Sequence, residues 1–235
     1  AQANVLVANT SGIHTHAISE YVIGAILQHT RALNEAARNQ RASRWQPHVS
    51  YSGVVDKRLV VVGAGRVGTQ IAKVASALGM HVIGVSRSGR TLPYFEANVS
   101  DEQAAATLAQ ADIIVDLLPL TPATTHFFDA ERLAQLQTGV MFINVGRGKT
   151  VATDALIAAI RSGQVGHAVL DVFETEPLPS DSPLWQLPHT VITPHIAGQV
   201  AHFTTVVTAI YAENLRSYLA THTLASHQVD LTRGF

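Results

Sequence analysis

A glycine-rich segment between an apolar strand and a helix constrains the fold of this chain more than any other feature. The segment GAGRVG at 63–68 follows the apolar run LVVV at 59–62. In a strand–turn–helix of this kind, Gly63 permits the tight turn, Gly65 lets the backbone approach a pyrophosphate, and Gly68 lets the helix pack close to the sheet. The free N–H groups at the start of that helix attract phosphates. The segment therefore predicts a dinucleotide-binding loop rather than a turn that serves packing alone.

Apolar runs and helical patterns alternate along the rest of the chain. We expect helices at about 15–40, 66–78, 100–110, 129–137, 155–162 and 199–220, and strands at 59–62, 81–86, 112–118, 140–144, 166–172 and 190–193. Most of these strands are continuously apolar, as strands covered on both faces must be. Such alternation implies right-handed crossovers between parallel strands. The predicted fold class is therefore α/β, a Rossmann-type doubly wound parallel sheet.

Local signals predict how two of these helices begin and end. Ser100 and Gln103 have the spacing of a capping box. Thr153 can cap the helix at 155–162, and Gly163 can end it. The first predicted helix is longer than a typical globular helix, so we expect it to cross between two domains or to lie in a subunit interface.

The composition of the 235-residue chain excludes several classes of function. The formal net charge is −1, so there is no electrostatic case for binding nucleic acid or an acidic membrane. No apolar run reaches the roughly 18 residues that a membrane span requires. The chain has no cysteine, which excludes disulfides and thiolate metal sites and favours a reducing compartment. We therefore expect a cytoplasmic protein.

The second strand of the predicted dinucleotide-binding unit ends without the acidic residue that an NAD site usually carries. Ser86 stands at that position, and Arg87, Ser88 and Arg90 follow it. Asp or Glu there binds the ribose 2′-hydroxyl of NAD, and it would repel a 2′-phosphate. A guanidinium binds a phosphate through charge-assisted hydrogen bonds. We therefore expect NADP(H) to be preferred; the alternative is that Arg87 is a solvated loop residue and that NAD is used.

Reactive side chains follow three predicted strands at the edge where open parallel sheets bind ligands. Arg147 follows the fourth strand, Glu174 and Glu176 the fifth, and His195 the sixth. Such a set suits hydride transfer to a 2-oxo acid, since a guanidinium can hold the carboxylate and an imidazole can protonate the carbonyl oxygen. A free imidazole has a pKa near 6.5, and a neighbouring carboxylate raises it. We choose Glu176 as that neighbour and expect its rival, Glu174, to be solvated.

Five segments resemble the signature segments of the D-isomer-specific 2-hydroxyacid dehydrogenases. They are PLTPATT (119–125), INVGRG (143–148), LDVFETEPLP (170–179), SPLWQLP (182–188) and ITPHIAG (192–198). The resemblance runs from about residue 5 to residue 220, in order and with matching spacing. It implies an NAD(P)-dependent dehydrogenase whose catalytic arginine, acid and histidine are Arg147, Glu176 and His195.

The same resemblance implies a set of cofactor contacts. Asp171 matches the residue that binds the nicotinamide carboxamide. The other predicted contacts lie in the glycine loop, after the second strand and in three later loops: Gly63, Gly65, Arg66, Val67, Gly68, Ser86, Arg87, Ser88, Leu118, Pro119, Thr124, Val145, Gly146 and Gly198.

The residues at 86–88, together with LLPLTP at 117–122, resemble most closely the glyoxylate/hydroxypyruvate reductase branch, which favours NADPH. This resemblance implies that glyoxylate or hydroxypyruvate is the small 2-oxo acid substrate. Phosphoglycerate dehydrogenase-like members are close to the same pattern and remain an alternative. A non-enzymatic dinucleotide sensor or corepressor-like protein is disfavoured by the complete set of arginine, acid and histidine. An L-specific lactate or malate dehydrogenase would share the glycine loop but not the segment ITPHIAG.

The resemblance also divides the chain into three parts. Residues 1–14 would end a smaller substrate domain, and residues 15–198 would form the dinucleotide-binding domain with a dimerisation loop. Residues 199–235 would carry the last helix back toward the substrate domain. Family members have a further N-terminal segment that forms most of that smaller domain, so we expect the whole protein to begin earlier. The family is typically homodimeric, and we expect the first helix and the segment RASRW at 41–45 to pack on the partner.

Three polar residues have no part in the predicted chemistry. Asp116 lies within an apolar strand, where a buried carboxyl group needs partners. His14 and His16 stand two apart at a helix start, with no carboxylate at ligand spacing in that segment. We expect both histidines to be structural or surface residues, and we predict no metal site.

Overall fold

Seven parallel strands form the single sheet of this protein, in a computed structural model that describes residues 5–48 and 51–229. Parts of the predicted first segment (1–4), of the loop before the first strand (49–50) and of the C-terminal segment (230–235) lie outside the described residues. The strand order is β3-β2-β1-β4-β5-β6-β7. The strands are β1 Arg58–Val62, β2 His81–Val85, β3 Ala97–Val99, β4 Ile113–Asp116, β5 Val140–Asn144, β6 Val165–Leu170 and β7 Thr190–Ile192. The predicted Rossmann-type α/β fold is confirmed.

Within the described residues, seven α-helices connect or flank these strands. They are α1 Thr15–Thr30, α2 Leu33–Arg41, α3 Arg66–Ala77, α4 Ala104–Leu108, α5 Ala130–Ala134, α6 Thr153–Ser162 and α7 Phe203–Thr221. None of the helices in the described part of the chain combines the length and the apolar character that crossing a membrane requires.

The sheet is covered on both faces, as the continuously apolar strands predicted. Along β1, Leu59 and Val61 pack into one layer of the core, and Val60 and Val62 pack into the other. The first layer is completed by α1 and α3, and the second by α4, α5 and α6. Since burial of one such aliphatic side chain stabilises a fold by about 1.5–3 kcal/mol, the two layers hold the strands in fixed positions.

The strand order reverses between β1 and β4, and this reversal decides where a ligand can bind. From β1 the chain moves outward to β2 and β3, and it then crosses to β4 on the other side of β1. The connections therefore diverge at the carboxyl ends of β1 and β4 and leave a crevice there. Polar loops that follow these ends reach the same crevice.

The first predicted helix is two helices, because the chain breaks between α1 and α2. Ala32 adopts a left-handed conformation with φ of 53°. The carbonyl oxygen of Thr30, which would accept within a continuous helix, accepts instead from the backbone N–H groups of Ser52 and Gly53 at 3.1 and 3.4 Å. A distant loop thus ends a helix whose local sequence contains no proline or glycine at the break.

Two predicted helix caps are absent, and one strand was not predicted. Ser100 makes no capping hydrogen bond, and the chain forms a short 3-10 turn over Asp101–Gln103 instead. Thr153 is the first residue of α6 rather than its cap. Gly163 ends α6 as predicted, in a left-handed conformation with φ of 81°. The three-residue strand β3 pairs with β2 at the edge of the sheet.

Candidate active site

The predicted catalytic arginine and histidine lie on loops that follow β5 and β7, the two strands on either side of β6. Arg147 comes three residues after β5, and His195 comes three residues after β7. Both line one cavity of about 480 Å³, together with Asp171, which directly follows β6. The parallel sheet therefore brings together side chains that are far apart in the sequence.

His195 is paired with the carboxylate that the sequence predicted. Its Nδ1 lies 2.8 Å from Oε2 of Glu176, and Oε1 of the same carboxylate accepts from the backbone N–H of Phe173 at 3.0 Å. Partial burial raises the pKa of Glu176, but the hydrogen bonds from His195 and Phe173 and the nearby charges of His195 and Arg147 outweigh it and lower that pKa below its usual value. The carboxylate is thus ionised at neutral pH and accepts from Nδ1–H. This leaves Nε2 of His195 to exchange a proton with a substrate.

The rival acid, Glu174, has a structural role instead. Its Oε1 lies 2.6 Å from Nε2 of His126, and its Oε2 accepts from the backbone N–H of Thr153 at 3.0 Å. Glu174 therefore satisfies a free N–H group at the start of α6, the helix for which the sequence predicted the Thr153 side chain as cap. The expectation that Glu174 is solvated was wrong, because it is engaged with two partners.

Asp171 holds the turn that carries His195. Its buried carboxylate accepts from the Thr193 hydroxyl at 2.5 Å and from the backbone N–H groups of Ile196 and Ala197 at 2.9 and 2.8 Å. Its carbonyl oxygen accepts from the backbone N–H of His195 at 2.9 Å. These contacts keep His195 in a left-handed conformation with φ of 57°. The predicted contact of Asp171 with the nicotinamide carboxamide stays a prediction.

A tyrosine from α1 extends this network. The hydroxyl of Tyr21 lies 2.6 Å from Oγ1 of Thr193. Since Thr193 donates its own hydrogen to Asp171, Tyr21 is the donor in this pair. Burial raises the pKa of Tyr21, so its hydroxyl keeps its proton at neutral pH. Tyr21 could not be predicted from the sequence, because its contact partner lies 172 residues away.

The loop of Arg147 is fixed by its flanking glycine and by a buried carboxyl group. A Cβ on Gly148 would lie 1.9 Å from the backbone of Phe173, so only glycine fits there. The hydroxyl of Thr150 lies 2.6 Å from the carbonyl oxygen of Arg147 and 2.5 Å from Oδ2 of Asp116. The guanidinium itself donates to the carbonyl oxygen of Gly146 at 2.7 Å.

Asp116, which had no predicted role, supports two loops of the site at once. Its Oδ1 accepts from the backbone N–H of Leu118 at 2.9 Å, and its Oδ2 contacts Thr150. It is fully buried, and this burial raises its pKa to about 7 despite the two hydrogen bonds. Asp116 thus ties the loop after β4, which carries predicted cofactor contacts, to the loop of Arg147.

The glycine loop has the shape that a dinucleotide requires. Gly63 has a φ of 99°, and a Cβ there would lie 2.9 Å from the backbone of Leu117. A Cβ on Gly65, in contrast, would meet nothing nearer than the carbonyl oxygen of Gly63 at 4.0 Å. The open space beside Gly65 lies at the first turn of α3, where free N–H groups attract phosphate. A cavity of about 610 Å³ adjoins it, lined in part by Arg66 and Arg90.

The remaining predicted cofactor residues lie around the two cavities or on adjoining loops. Val67 and Gly68 lie in the first turn of α3; Ser86, Arg87 and Ser88 follow β2; Leu118, Pro119 and Thr124 follow β4; and Val145 and Gly146 follow β5. Thr124 stabilises its own loop by donating to the carbonyl oxygen of Pro119 at 2.6 Å. Gly198 lines the same cavity as Arg147 and His195.

The two N-terminal histidines lie beside these cavities. Nδ1 of His14 lies 2.5 Å from the carbonyl oxygen of Gly198, which is the structural role that we expected. His14 also lines the cavity of Arg147 and His195, whereas His16 lines the cavity beside the glycine loop. No group of three histidine or acidic side chains in the described ranges could hold a metal ion.

Comparison with known proteins gives the family of this chain. Residues 23–197 match the family model of the D-isomer specific 2-hydroxyacid dehydrogenase NAD binding domain. An uncharacterised protein of Corynebacterium melassecola, from the proB 3′ region, is 31% identical over 231 residues, which are 97% of this chain and 75% of that protein. The chain thus spans about three quarters of this relative.

Solved structures with the same fold include several dehydrogenases. A phosphoglycerate dehydrogenase from Lactobacillus plantarum is 46% identical, with a TM-score of 0.78 over 96% of this chain and 73% of that one. A D-isomer specific 2-hydroxyacid dehydrogenase from Xanthobacter autotrophicus Py2, in complex with NADPH and MES, is 36% identical, with a TM-score of 0.87 over 99% and 95%. An NADPH-dependent glyoxylate/hydroxypyruvate reductase from Sinorhizobium meliloti, in complex with NADP and sulfate, is 29% identical, with a TM-score of 0.87 over 100% and 74%. The chain therefore belongs to the D-isomer-specific 2-hydroxyacid dehydrogenases, a family of NAD(P)-dependent oxidoreductases.

Proposed function

We propose that this protein is an NADPH-dependent reductase of small 2-oxo acids and that glyoxylate and hydroxypyruvate are its leading substrates. The observation that carries the proposal is the shared cavity of Arg147 and His195, with His195 paired to Glu176 at 2.8 Å. A cation and a proton donor at one cavity match the two ends of a 2-oxo acid, which carries a carboxylate beside a carbonyl group.

Each of the three side chains has one task in this proposal. The guanidinium of Arg147 binds the substrate carboxylate and polarises the adjacent carbonyl group. Nε2 of His195 donates a proton to the carbonyl oxygen, and Glu176 keeps the ring oriented for that transfer. Bound NAD(P)H supplies the hydride. In the opposite direction, the same ring nitrogen accepts the proton of the 2-hydroxy acid.

The preference for NADPH rests on the residues after β2. Ser86 stands where an NAD site carries an acid, and the exposed residues Arg87 and Ser88 follow it. A carboxylate is absent, so nothing at this position repels a 2′-phosphate, and Arg87 supplies a guanidinium to bind it. The similar proteins from X. autotrophicus and S. meliloti have structures in complex with NADPH and NADP, which supports the same preference.

A second candidate substrate is the phosphorylated hydroxypyruvate that a phosphoglycerate dehydrogenase would use. It is favoured by the 46% identity to the L. plantarum protein, which exceeds the 29% identity to the S. meliloti reductase. The two candidates differ in a phosphate group, so a panel of substrates separates them directly.

The deciding experiment measures initial rates of NADPH and NADH oxidation with glyoxylate, hydroxypyruvate, 3-phosphohydroxypyruvate and pyruvate. We expect the highest kcat/KM for glyoxylate or hydroxypyruvate with NADPH. In Arg87→Ala we expect the KM for NADPH to rise about tenfold or more, while the KM for NADH changes little, since one charge-assisted hydrogen bond is worth about 1.5–3 kcal/mol. Arg161→Ala, an exposed arginine in the last turn of α6, is the matched control. An unchanged preference in Arg87→Ala, or a higher kcat/KM for 3-phosphohydroxypyruvate, would overturn the corresponding part of the proposal.

A further inference from the structure

An asparagine in the edge strand β3 contacts the loop that follows β2. Asn98 lies in the middle of β3, and its side-chain nitrogen Nδ2 lies 2.8 Å from Oγ of Ser86 and 2.6 Å from the carbonyl oxygen of Arg90. The backbone of the loop 86–90 also contacts β3, because the N–H of Ser86 donates to the carbonyl oxygen of Val99 at 3.0 Å. One side chain therefore contacts both ends of the segment 86–90.

The contact with Arg90 fixes the orientation of the Asn98 amide. A carbonyl oxygen only accepts hydrogen bonds, so the atom of Asn98 that lies 2.6 Å from it must be the NH2 group. The same NH2 group then donates to Ser86, and Oγ of Ser86 is the acceptor. Asn98 engages one of the two acceptor lone pairs of the Ser86 hydroxyl, and the single hydrogen of this hydroxyl is left to donate to another group.

In the proposed function, Ser86 is the residue that recognises the ribose of the coenzyme. It occupies the position where NAD-specific sites place an acid against the 2′-hydroxyl. A hydroxyl that is held as a donor suits an anionic 2′-phosphate, which only accepts, better than it suits a 2′-hydroxyl, which water solvates equally well. Arg90 lines the cavity beside Gly65 and Arg66, so the second contact of Asn98 also lies at the coenzyme side of the loop.

The amide oxygen of Asn98, Oδ1, shows that asparagine at this position is not optimal for stability. Its Oδ1 is buried and has no hydrogen-bond partner among the described residues. It packs against Gly84, where a Cβ would lie 2.5 Å from it. A buried unsatisfied acceptor destabilises a fold, and asparagine is also unfavourable within strands. An apolar β-branched residue would fit β3 better. We therefore attribute the presence of asparagine at position 98 to the two contacts that its Nδ2 makes.

We propose that Asn98 is a positioning residue for coenzyme choice: it holds the Ser86 hydroxyl as a donor toward the 2′-phosphate of NADP(H). This inference rests on the coenzyme preference in the proposed function. Asn98 does not touch the coenzyme and acts through Ser86.

Direct binding tests the proposal without turnover. Titration calorimetry of 2′,5′-ADP and of 5′-AMP measures the contribution of the 2′-phosphate in the wild type and in Asn98→Val and Asn98→Ala. We expect both variants to bind 2′,5′-ADP about tenfold more weakly and to bind 5′-AMP within twofold of the wild type, with an unchanged or higher Tm in Asn98→Val. The steady-state KM should follow, with a rise for NADPH, little change for NADH and an unchanged kcat. Glu96→Gln, which alters an exposed side chain just before β3 that contacts His81, is the matched control.

A double-mutant cycle tests whether Asn98 acts through Ser86. In a Ser86→Ala background the hydroxyl is gone, so Asn98→Val should weaken 2′,5′-ADP binding by less than twofold more. Independent, multiplicative effects of the two substitutions would overturn the proposal, and so would a variant at Asn98 that keeps the full discrimination. If the wild type itself binds 2′,5′-ADP no better than 5′-AMP, both the proposed coenzyme preference and the role of Asn98 are contradicted. If the wild type discriminates and the Asn98 variants do too, only the inference fails.

Discussion

The pairing of His195 with Glu176 determines how the imidazole ring of His195 is oriented at this site. The lowered pKa of Glu176 keeps the carboxylate ionised at neutral pH, so it accepts from Nδ1–H of His195 throughout the range in which the enzyme would work. The ring therefore cannot rotate freely, although about half of it is exposed to solvent. Arg147 contributes a guanidinium group, which donates hydrogen bonds and accepts none. The two side chains thus have separable tasks, which substitution can test.

We predict that His195→Ala and Arg147→Ala each lower kcat/KM for 2-oxo acid reduction by a factor of about 10² to 10⁴, the usual contribution of one general acid or one charge-stabilising group. Their affinity for NADP(H), measured by quenching of protein fluorescence, should stay within a few fold of the wild type. Lys149→Ala removes an exposed cation two residues from Arg147 and should leave both quantities nearly unchanged. Parallel loss of coenzyme affinity and turnover in either variant would contradict this division of tasks.

The sequence predicted the residues of this site whose chemistry appears in a local motif. Arg147, Glu176 and His195 each stand in a segment that carries the family pattern, and the sheet places the first and last of them at one cavity. Asp116 and Tyr21 could not be assigned in this way. Their roles depend on Thr150 and Thr193, which lie 34 and 172 residues away and become neighbours only in the folded chain.

At the scale of elements, the strands were predicted more accurately than the helices. A central strand that is buried on both faces requires a mostly apolar run of residues, and this signal is present in β1, β4, β5 and β6. The break between α1 and α2 depends on a hydrogen bond from another part of the chain, and β3 is too short and too polar to form a recognisable run. Elements that are fixed by distant partners are those that local sequence does not specify.

The strand β6 carries a buried imidazole that makes the fold sensitive to acid. His167 stacks on His29 of α1 with ring centroids 4.0 Å apart, and its Nδ1 is buried without a partner among the described residues. Burial, together with the nearby rings of His29 and His189, lowers the pKa of His167 to about 4. In the unfolded chain the same group titrates near 6.5. Between these two values the unfolded state binds the proton more strongly than the folded state does.

The contribution of His167 to stability is therefore complete above about pH 6.5 and is lost as the pH falls toward 4, where the loss reaches about 3 kcal/mol. Asp116 has a raised folded pKa of about 7, so it acts in the opposite direction over the same range, and only a comparison of variants isolates His167. We predict that, on going from pH 7 to pH 5, the free energy of unfolding in urea changes more favourably in His167→Phe than in the wild type, because the substitution removes the destabilising term and leaves that of Asp116 in place. His48→Gln, an exposed histidine, should keep the wild-type pH dependence. Equal slopes for His167→Phe and the wild type would show that the ring carries no such penalty.

At the scale of the whole molecule, the reversal of strand order explains how one edge of the sheet can hold both halves of the reaction. Loops after β1 and β2 carry the glycine loop and the segment 86–90, which we propose bind the coenzyme, and loops after β5 to β7 carry the side chains that we propose as catalytic. Asp116 at the end of β4 lies between these two groups, and its carboxyl group contacts Leu118 in its own loop and Thr150 in the loop after β5. The crevice is thus built from a rigid sheet, while its specificity lies in loops.

A group of exposed apolar side chains predicts how the protein assembles. α2 and the loop before β1 expose large apolar side chains, above all Trp45, which is 94% exposed, and also Leu33, Tyr51 and Val55. Exposed aromatic residues of this kind are typical of the centre of a protein interface. We therefore predict a homodimer through this surface, so light scattering after gel filtration should give twice the mass of the chain.

Trp45→Glu should convert this dimer to a monomer or weaken it by about 30-fold or more, because loss of a central aromatic residue costs about 2 kcal/mol or more and a charge is added in its place. Leu219→Glu changes a residue of α7 that is 72% exposed and serves as the matched control. It should leave the dimer intact, because α7 lies outside the proposed interface. A dimer that survives Trp45→Glu and dissociates in Leu219→Glu would place the interface on α7. A wild-type chain that is monomeric at micromolar concentration would contradict the predicted dimer. Coenzyme binding should be retained in the Trp45→Glu monomer, since every residue that we assign to coenzyme contacts lies within one chain.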